Sequence, residues 1–355
     1  MKIKENIKLA PYTTFKIGGP ARYFCVVSDE KELVEAIRFT KEKKLRFLIL
    51  GAGSNILISD DGFDGLVVKN EIKGIERKAK SKKQKAQSGK STVEDDAEAI
   101  LTVGAGEDWE ELVKKTVEDG LYGLENLSSI PGTVGAAPVQ NIGAYGVDAS
   151  MMIQFVRALD TETVKFADLS NENCAFSYRD SLFKREKGRY AIASVTFVLS
   201  KNGRVNIEYK EVREYFAEKK NQNPSLAEVR EAIVEIRKNK LPDWKHWGTA
   251  GSFFKNPVVS KESFAELKKK YPGLPGYPEP GDGVKVSLGW ILDKVCDAKG
   301  LVMGNASTYE KQALVLVAKP GASSVEVVNL ANELMRRVKE KTGIAIEGEV
   351  DWAVV

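Results

Sequence analysis

The feature that most constrains this chain is a glycine-rich and almost uncharged segment at residues 123–146, which reads GLENLSSIPGTVGAAPVQNIGAYG. Its glycines disfavour a stable helix, and its broken pattern of apolar residues disfavours a plain strand. Glycine lets main-chain N–H groups approach a phosphate or a ring system without a Cβ in the way. An ordinary surface loop would carry more charge, because 29% of the whole chain is charged. The segment therefore predicts backbone laid closely against a large, flat ligand.

Composition indicates a globular protein of two or three domains, since the chain has 355 residues and 43% hydrophobic residues. The formal net charge of +4 is too small to indicate a nucleic-acid partner. Three widely spaced cysteines, Cys25, Cys174 and Cys296, argue against a disulfide framework. The single histidine, His246, argues against a histidine-based metal site and is expected on the surface. No apolar leader or membrane-length run is found, so we expect a cytoplasmic protein.

A short glycine turn at residues 51–55, Gly-Ala-Gly-Ser-Asn, follows a predicted helix at 31–44 and a predicted buried strand at 47–50. A Rossmann dinucleotide fold needs the pattern Gly-x-Gly-x-x-Gly at the start of a helix. Here the third glycine is missing, and the next residues, 56–58, predict another strand. The turn can therefore hold a phosphate, but outside a Rossmann fold.

The remaining predicted elements alternate between helices and strands without an internal repeat. Helices are predicted at 109–117, ending at Gly120, and at 211–216, 226–238, 288–296 and 325–341; strands are predicted at 100–103, 156–159, 190–199 and 313–317, and a glycine- and proline-rich loop at 272–283. Residues 77–97 differ, because a basic run precedes an acidic one and large apolar residues are nearly absent. They predict a hairpin tip or a disordered insertion, with a nucleic-acid-binding module as the alternative.

Four short clusters carry residues that suit chemistry, although each is also common in structural roles. Arg179 lies in the polar and aromatic run 176–184, and its planar fork can hold a carboxylate with two hydrogen bonds. Ser252 follows Ala-Gly and precedes two phenylalanines, which indicates a hydroxyl presented on a tight turn. Residues 346–352 alternate acidic and apolar side chains, as in a strand with one exposed face, and residues 311–317 place a polar pair before an apolar strand.

Together with residues 13–19 (TTFKIGG), these motifs occur in an order that resembles the UDP-N-acetylenolpyruvoylglucosamine reductase family, in its branch with a tyrosine loop over the substrate. The resemblance covers nearly the whole chain apart from 77–97. It implies an α+β fold, with a two-lobed FAD-binding part of the vanillyl-alcohol-oxidase type (PCMH-like) and a smaller α+β substrate-binding domain. The lobes are expected at 1–72 and 73–219, the substrate-binding domain at 220–343, and a C-terminal strand with the catalytic carboxylate at 344–355.

The resemblance implies a flavoenzyme that uses NADPH to reduce the enolpyruvyl ether of UDP-N-acetylglucosamine to UDP-N-acetylmuramate, a peptidoglycan precursor. Such an enzyme serves cell-wall biogenesis and, through it, cell shape, the cell cycle and cell division. FAD is expected to be noncovalent, because His246 lies outside the flavin-like motifs. We expect a monomer that binds neither nucleic acid nor a membrane. The alternatives are an inactive nucleotide-binding homologue and another flavoprotein oxidase of the same fold.

The resemblance also implies roles for individual residues. Arg179 would stabilise charge on the substrate carboxylate, Ser252 would give a proton to the α-carbon, and Glu349 would be the catalytic carboxylate, with Glu347 as the second candidate. We hypothesise that burial keeps Glu349 protonated, and that the three groups meet over one face of the isoalloxazine. The implied cofactor residues are Gly51, Ala52, Gly53, Ser54, Asn55, Ser129, Ile130, Pro131, Gly132, Gly135, Ala136, Gln140, Asn141, Gly143, Ala144, Tyr145 and Gly146, and the implied substrate residues are Tyr209, Lys240, Asn256 and Gln312.

Overall fold

The computed structural model describes residues 1–78, 97–279 and 281–353, so the predicted insertion at 77–97 lies almost wholly outside the described residues. The chain forms two compact units. The first comprises Met1–Lys4, Phe24–Ala52 and Gly65–Arg237, and the second comprises Glu5–Tyr23, Gly53–Asp64 and Lys238–Val355. The four-part division expected from the sequence stays a prediction; residues 220–237 lie in the first unit.

The helices and strands follow in this order along the chain. The helices are α1 (Glu30–Lys43), α2 (Trp109–Glu118), α3 (Leu182–Arg185), α4 (Lys210–Glu218), α5 (Leu226–Lys240), α6 (Lys261–Lys270), α7 (Leu288–Trp290) and α8 (Ser324–Thr342). The strands are β1 (Lys4–Lys8), β2 (Pro20–Val27), β3 (Arg46–Leu50), β4 (Ile56–Ile58), β5 (Phe63–Asn70), β6 (Ile75–Lys78), β7 (Glu98–Gly104), β8 (Gly143–Ala144), β9 (Val147–Asp148), β10 (Ile153–Asp160), β11 (Lys165–Ser170), β12 (Tyr190–Ser200), β13 (Gly248–Ser252), β14 (Val258–Ser260), β15 (Gly276–Pro278), β16 (Gly283–Val286), β17 (Val302–Met303), β18 (Ala306–Tyr309), β19 (Gln312–Ala318) and β20 (Asp351–Ala353).

The first unit is built around an antiparallel sheet in the order β11-β10-β12-β7-β6. Helix α2 shares its apolar core, where Trp109 meets Phe197 of β12 with ring centroids 6.1 Å apart. Asp108 starts this helix by accepting a hydrogen bond from a first-turn N–H at 3.0 Å. The helix ends just before Gly120, as the sequence predicts. Strand β3 pairs in parallel with β5 and leads directly into the glycine turn at 51–55.

The second unit contains an antiparallel sheet in the order β13-β19-β18-β17 and a smaller one in the order β14-β16-β15. Helix α8 buries Leu330 and Leu334 in the same apolar core as Phe253, Phe254 and Leu316. Strand β4 follows the glycine turn and pairs in parallel with β20. A strand after the turn is what the sequence predicts, and it differs from the helix that a Rossmann fold would place there.

Two predictions for the second unit differ from the structure. The predicted helix at 288–296 is α-helical only to Trp290 and continues as a π-helical turn, Ile291–Val295. The predicted loop at 272–283 contains β15 and the first residue of β16. Apolar periodicity reports that a segment is helical, but it does not separate an α-helix from a single π-turn.

The C-terminal strand, which the alternating pattern at 346–352 predicts within 344–355, is also shorter than expected, since it begins only at Asp351. The main chain before it pairs with residues 253–255 instead, through hydrogen bonds from Lys255 N to Glu347 O and from Glu349 N to Phe253 O. The alternating pattern could not reveal this, because period-2 alternation does not identify the pairing partner.

The cysteines are free and the histidine is exposed, as the sequence predicts. All three cysteines are buried and free, and burial raises the pKa of the Cys25 and Cys174 thiols to about 12. The His246 side chain is 81% exposed and lies 2.9 Å from the carboxylate of Asp243. Among the described residues, no His, Cys, Asp and Glu side chains are grouped as a metal site requires, and no helix has the length and apolarity to cross a membrane.

Candidate active site

The glycine-rich segment at 123–146 is irregular, as its composition predicts. It contains two short 3₁₀ turns and strand β8, which pairs with β9 just after the end of the segment. Ser129, Asn141 and Tyr145 have φ values of 61°, 45° and 49°, which are uncommon for residues other than glycine. Such turns point main-chain N–H groups in directions that helices and strands do not allow. The segment therefore suits a ligand held largely by main-chain donors.

The predicted cofactor residues of this segment all belong to the first unit. They are Ser129, Ile130, Pro131, Gly132, Gly135, Ala136, Gln140, Asn141, Gly143, Ala144, Tyr145 and Gly146. The one charged side chain of the segment, Glu125, is buried and accepts a hydrogen bond from Gly123 N at 2.6 Å. Burial raises the pKa of Glu125, and the side chain is bound to the main chain of its own segment.

The glycine turn at 51–55 is packed against the backbone and side chains of the protein itself. A Cβ atom on Gly51 would overlap the Thr133 hydroxyl, and one on Gly53 would overlap the Tyr12 carbonyl oxygen. Gly53 also has a φ of +65°, which disfavours other residues. Gly51 and Ala52 belong to the first unit, and Gly53, Ser54 and Asn55 belong to the second. Both glycines are therefore required by the fold itself, whereas the sequence pattern suggested only the approach of a ligand.

Arg179 is held by the glycine-rich segment. Its guanidinium donates to the Gly143 carbonyl oxygen and lies 3.4 Å from the Asp148 carboxylate, and its side chain is 16% exposed. A Cβ atom on Gly143 would overlap Asp148, so glycine is needed for this close approach. Arg179 itself has a φ of +53°. Backbone strain of this kind persists only where the surroundings fix the residue, and it is frequent at functional sites.

Ser252 ends strand β13 at a β-bulge. The register against β19 pairs Thr249 with Val317 and Ser252 with Val315, so β13 carries one extra residue. Thr249 Oγ1 fixes the bulge, because it donates to a main-chain carbonyl of β19 at 2.8 Å and accepts from Gly251 N at 3.2 Å. Gly251 has a φ of +75°. The half-buried Ser252 hydroxyl therefore follows a sharp bend, as the sequence predicts.

Glu349 lies beside the residues that follow Ser252. Its N–H donates to the carbonyl oxygen of Phe253 at 2.8 Å, and the Phe253 side chain is fully buried. Asn55 holds Glu349 from the other side, since its Nδ2 donates to the Glu349 carbonyl oxygen at 3.1 Å. The Asn55 carbonyl oxygen also accepts from Asp351 N at 2.9 Å. Asn55, predicted as a cofactor residue, thus fixes the backbone of the predicted catalytic carboxylate.

Glu347, the second candidate for the catalytic carboxylate, has different surroundings. Its side chain is 78% exposed and lies 3.6 Å from Lys255 Nζ, whereas Glu349 is half-buried. An exposed carboxylate beside a lysine is already solvated and paired. Glu349 is the more buried of the two residues, and its role as the catalytic carboxylate stays a prediction.

The predicted substrate residues lie in three places. In the first unit, Tyr209 is 39% exposed and directly precedes α4. In the second unit, Lys240 is the last residue of α5. Asn256 Oδ1 accepts from the first N–H of α7 at 3.0 Å, and a Cβ atom on Gly289 of that helix would lie 2.8 Å from the amide oxygen of Gln312. The structure thus brings Asn256 and Gln312 together at the start of α7.

The structure groups the predicted residues by unit. In the first, the run around Arg179 is fastened to the glycine-rich segment, with Ser181 Oγ donating to the Val139 carbonyl oxygen at 2.6 Å. In the second, Ser252, Glu349 and Asn55 are neighbours along paired backbone. Sequence reasoning missed Asp148, although it is the first charged residue after Glu125 and so ends the uncharged run. A carboxylate at that place is a signal for a cationic partner.

Comparison with protein families gives two matches along the chain. Residues 21–164 match an FAD binding domain, and residues 243–353 match the C-terminal domain of UDP-N-acetylenolpyruvoylglucosamine reductase. The chain is 42% identical over 348 residues to the UDP-N-acetylenolpyruvoylglucosamine reductase of Ralstonia nicotianae, with 98% of each chain covered. It is 43% identical over 352 residues to the enzyme of that name from Neisseria gonorrhoeae, with 99% of this chain and 97% of the relative covered.

A solved structure has a similar fold over nearly the whole chain. The crystal structure of UDP-N-acetylenolpyruvylglucosamine reductase (MurB) from Thermus caldophilus aligns with a TM-score of 0.65 at 23% identity, covering 99% of both chains. These comparisons confirm the resemblance inferred from the motifs. They also confirm the predicted α+β fold with an FAD-binding part.

Proposed function

The chain belongs to the UDP-N-acetylenolpyruvoylglucosamine reductase family, and from this premise we propose which of its side chains perform the reaction. The protein is an FAD-dependent oxidoreductase. It uses NADPH to reduce the enolpyruvyl ether of UDP-N-acetylglucosamine to UDP-N-acetylmuramate, in peptidoglycan precursor synthesis. The observation that carries this conclusion is the match to reductases of this name at 42–43% identity over almost the full chain.

The residues of the glycine-rich segment fit FAD in their chemistry. The segment offers main-chain donors in left-handed turns and, apart from the buried Glu125, no charged side chain. Main-chain N–H groups suit both the pyrophosphate and the flavin ring. We assign the holding of noncovalent FAD to residues 51–55 and to the predicted residues within 129–146. Bound there, FAD would supply the hydride-transfer chemistry between NADPH and the β-carbon of the enolpyruvyl group.

Three side chains then complete the addition. Arg179 carries a permanent charge, and it stabilises the negative charge that develops on the substrate carboxylate as hydride reaches the β-carbon. The Ser252 hydroxyl gives its proton to the α-carbon, and the product then holds one added hydride and one added proton. Glu349 acts as a neutral carboxyl group, because an ionised one would repel the enolate-like intermediate.

The substrate also carries a diphosphate, for which the chain offers polar and cationic side chains. We assign its binding, with that of the carboxylate, to Tyr209, Lys240, Asn256 and Gln312. The placement of Asn256 and Gln312 at the start of α7 supports this assignment, because both amides then face one short segment.

We further propose that the protein works as a cytoplasmic monomer and supports cell shape, the cell cycle and cell division by supplying a cell-wall precursor. The support is the family's place in peptidoglycan synthesis. Sedimentation velocity and cell fractionation test the first two points, and depletion of the protein with scoring of cell morphology tests the rest.

The reaction is tested on purified, FAD-loaded protein. NADPH oxidation is followed with and without UDP-N-acetylglucosamine enolpyruvate, and the product is weighed by mass spectrometry. We expect substrate-dependent oxidation and a product two mass units heavier than the substrate. Oxygen consumption with simple alcohols, or no turnover at all, would identify an oxidase of the same fold or an inactive homologue and would overturn the proposal.

A further inference from the structure

The start of helix α2 is hydrogen-bonded to the glycine-rich segment at several points. Trp109 Nε1 donates to the Leu127 carbonyl oxygen at 3.0 Å, and Trp109 N donates to the Gly132 carbonyl oxygen at 3.2 Å. The backbone just before the helix is bonded to the segment as well, since Val134 N donates to the Glu107 carbonyl oxygen at 2.9 Å. The path of this part of the segment is therefore set by the start of α2.

Ser129 lies within this stretch, and both of its main-chain polar groups are bonded to long side chains. Its N–H donates to a carboxylate oxygen of Glu110 in the first turn of α2. Its carbonyl oxygen accepts from Arg237 Nε of α5 at 3.2 Å. Ser129 has a φ of 61°, and a residue other than glycine keeps such a conformation only where its surroundings fix it. Glu110 is therefore one of the groups that fix the turn at Ser129.

Arg230 of α5 pairs with the same carboxylate. Its Nη2 donates to the second carboxylate oxygen of Glu110 at 2.5 Å. The side chains of Arg230 and Glu110 are only 17% and 29% exposed, so salt screens this pair less than a fully exposed one. Without Arg230, the carboxylate would place an uncompensated negative charge beside the turn and would repel an anionic ligand held there. Arg230 removes that repulsion and leaves the other oxygen to accept from Ser129.

We propose that Glu110 and Arg230 are positioning residues for FAD: Glu110 fixes the turn at Ser129, and Arg230 neutralises the carboxylate that fixes it. The proposal rests on the proposed function, which assigns FAD to the predicted residues within 129–146. Because the pyrophosphate of FAD is negatively charged, both the shape of the turn and the charge beside it affect binding. The described hydrogen bonds of the pair run to Ser129 and between its two members, so it acts on FAD through the turn.

The test measures the release of FAD from the holoenzyme after dilution, which is followed by the rise in flavin fluorescence. Arg230→Met should release FAD about tenfold faster than the wild type, the range of one hydrogen bond to a charged group, because Glu110 is then unpaired. Glu110→Ala should also release FAD about tenfold faster, because Ser129 N loses its acceptor. The variant with both changes should match Glu110→Ala within about twofold, because Arg230 acts through Glu110.

A second double variant separates the charge of Glu110 from its hydrogen bond. Glu110→Gln combined with Arg230→Met removes both charges and keeps a side-chain oxygen that can accept from Ser129 N. It should release FAD within about threefold of the wild-type rate, whereas Arg230→Met alone should not. A general loss of stability would not be reversed by a second substitution, so this recovery is specific to the proposed pair.

Arg157→Met is the matched control, because Arg157 makes a similarly short ion pair with Glu30, at 2.6 Å, elsewhere in the same unit. It should lower the melting temperature and leave FAD release unchanged. A wild-type release rate in Arg230→Met, or no recovery in its double variant with Glu110→Gln, would overturn the proposal, and both comparisons stand even if Glu110→Ala does not fold. Because no turnover is involved, a holoenzyme that fails to reduce the enolpyruvyl substrate would count against the proposed function and not against this pair.

Discussion

The predicted catalytic residues of the two units are held in different ways. In the first unit, Arg179 is fixed at a strained φ of +53° by contacts of its own side chain with Gly143 and Asp148. In the second unit, Ser252 and Glu349 are fixed through main-chain hydrogen bonds, with the buried Phe253 between them. The backbone around these two residues is therefore held by main-chain groups.

This difference separates structural from chemical effects of mutation. Removing the Arg179 side chain removes the positive charge that we propose acts on the substrate. It also removes the side-chain contacts that hold the backbone at Gly143 in place. Removing the Ser252 hydroxyl or the Glu349 carboxyl should leave the local backbone in place, because the hydrogen bonds that shape it come from main-chain groups and from Thr249. In variants of Ser252 or Glu349, a change in reaction rate is therefore easier to separate from a change in stability than in variants of Arg179.

Arg179→Met should have the largest combined effect on rate and stability among variants that test this difference. It should slow reoxidation of reduced flavin by the enolpyruvyl substrate about 10²–10³-fold, the range for loss of one electrostatic stabiliser of a developing anion. Because Arg179 also anchors the Gly143 backbone, the melting temperature should fall as well. Arg179→Lys keeps the charge but loses the fork, and it should recover only part of the rate. Rapid-mixing absorbance and a melting curve measure the two effects, and an unchanged reoxidation rate would contradict the assignment.

Glu349→Ala should slow the same reoxidation step about 100-fold, in the range of acid–base contributions, without lowering the melting temperature. If the neutral carboxyl is the working form, the wild-type rate falls as pH rises and the group ionises. Glu349→Gln cannot ionise, so its rate should be independent of pH. Rates measured between about pH 5 and pH 9 check this, and a flat wild-type profile would count against a neutral carboxyl.

Asp148→Asn should have a smaller effect, because Asp148 is assigned no contact with the substrate. It weakens one of the contacts that hold the Arg179 guanidinium, which also donates to the carbonyl oxygens of Gly143 and Asn141. The pair is partly exposed, with side-chain exposures of 16% and 37%. We expect about a fivefold loss of kcat/KM, consistent with the modest strength of exposed ion pairs. A loss as large as that of Arg179→Met would show that Asp148 has a direct role in the reaction.

Asn55→Ala should have the smallest effect on rate. It removes the hydrogen bond to the Glu349 carbonyl oxygen and should cost about 1 kcal/mol of unfolding free energy, the typical value of one such bond. Since main-chain hydrogen bonds to Phe253 remain, reoxidation should slow only about two- to fivefold. Denaturant unfolding and rapid mixing measure both quantities. Complete loss of reoxidation with normal stability would mean that Asn55 contacts the reacting groups.

Local sequence patterns predicted much of the fold, because helix ends, strands and turns are determined by residues only a few positions apart. The end of α2 before Gly120, the buried strand β3 and the bend before Ser252 all follow from such patterns. The contact from Asn55 to Glu349 spans 294 residues, and no local pattern encodes it. The sequence pattern attributes Gly53 to the close approach of a ligand. In the structure, the Tyr12 carbonyl oxygen alone leaves no room for a larger residue at this position. The residue types in the sequence thus indicated the chemistry. The contacts that hold each residue in place could be identified only from the structure.

The most direct test of the account is to measure the two half-reactions of Ser252→Ala separately by rapid mixing. The account predicts that NADPH reduces the bound FAD within about twofold of the wild-type rate. Reoxidation by UDP-N-acetylglucosamine enolpyruvate should slow about 10²–10⁴-fold, because the α-carbon has lost its proton donor. Equal slowing of both half-reactions, or normal reoxidation, would contradict the assignment of Ser252 as the proton donor.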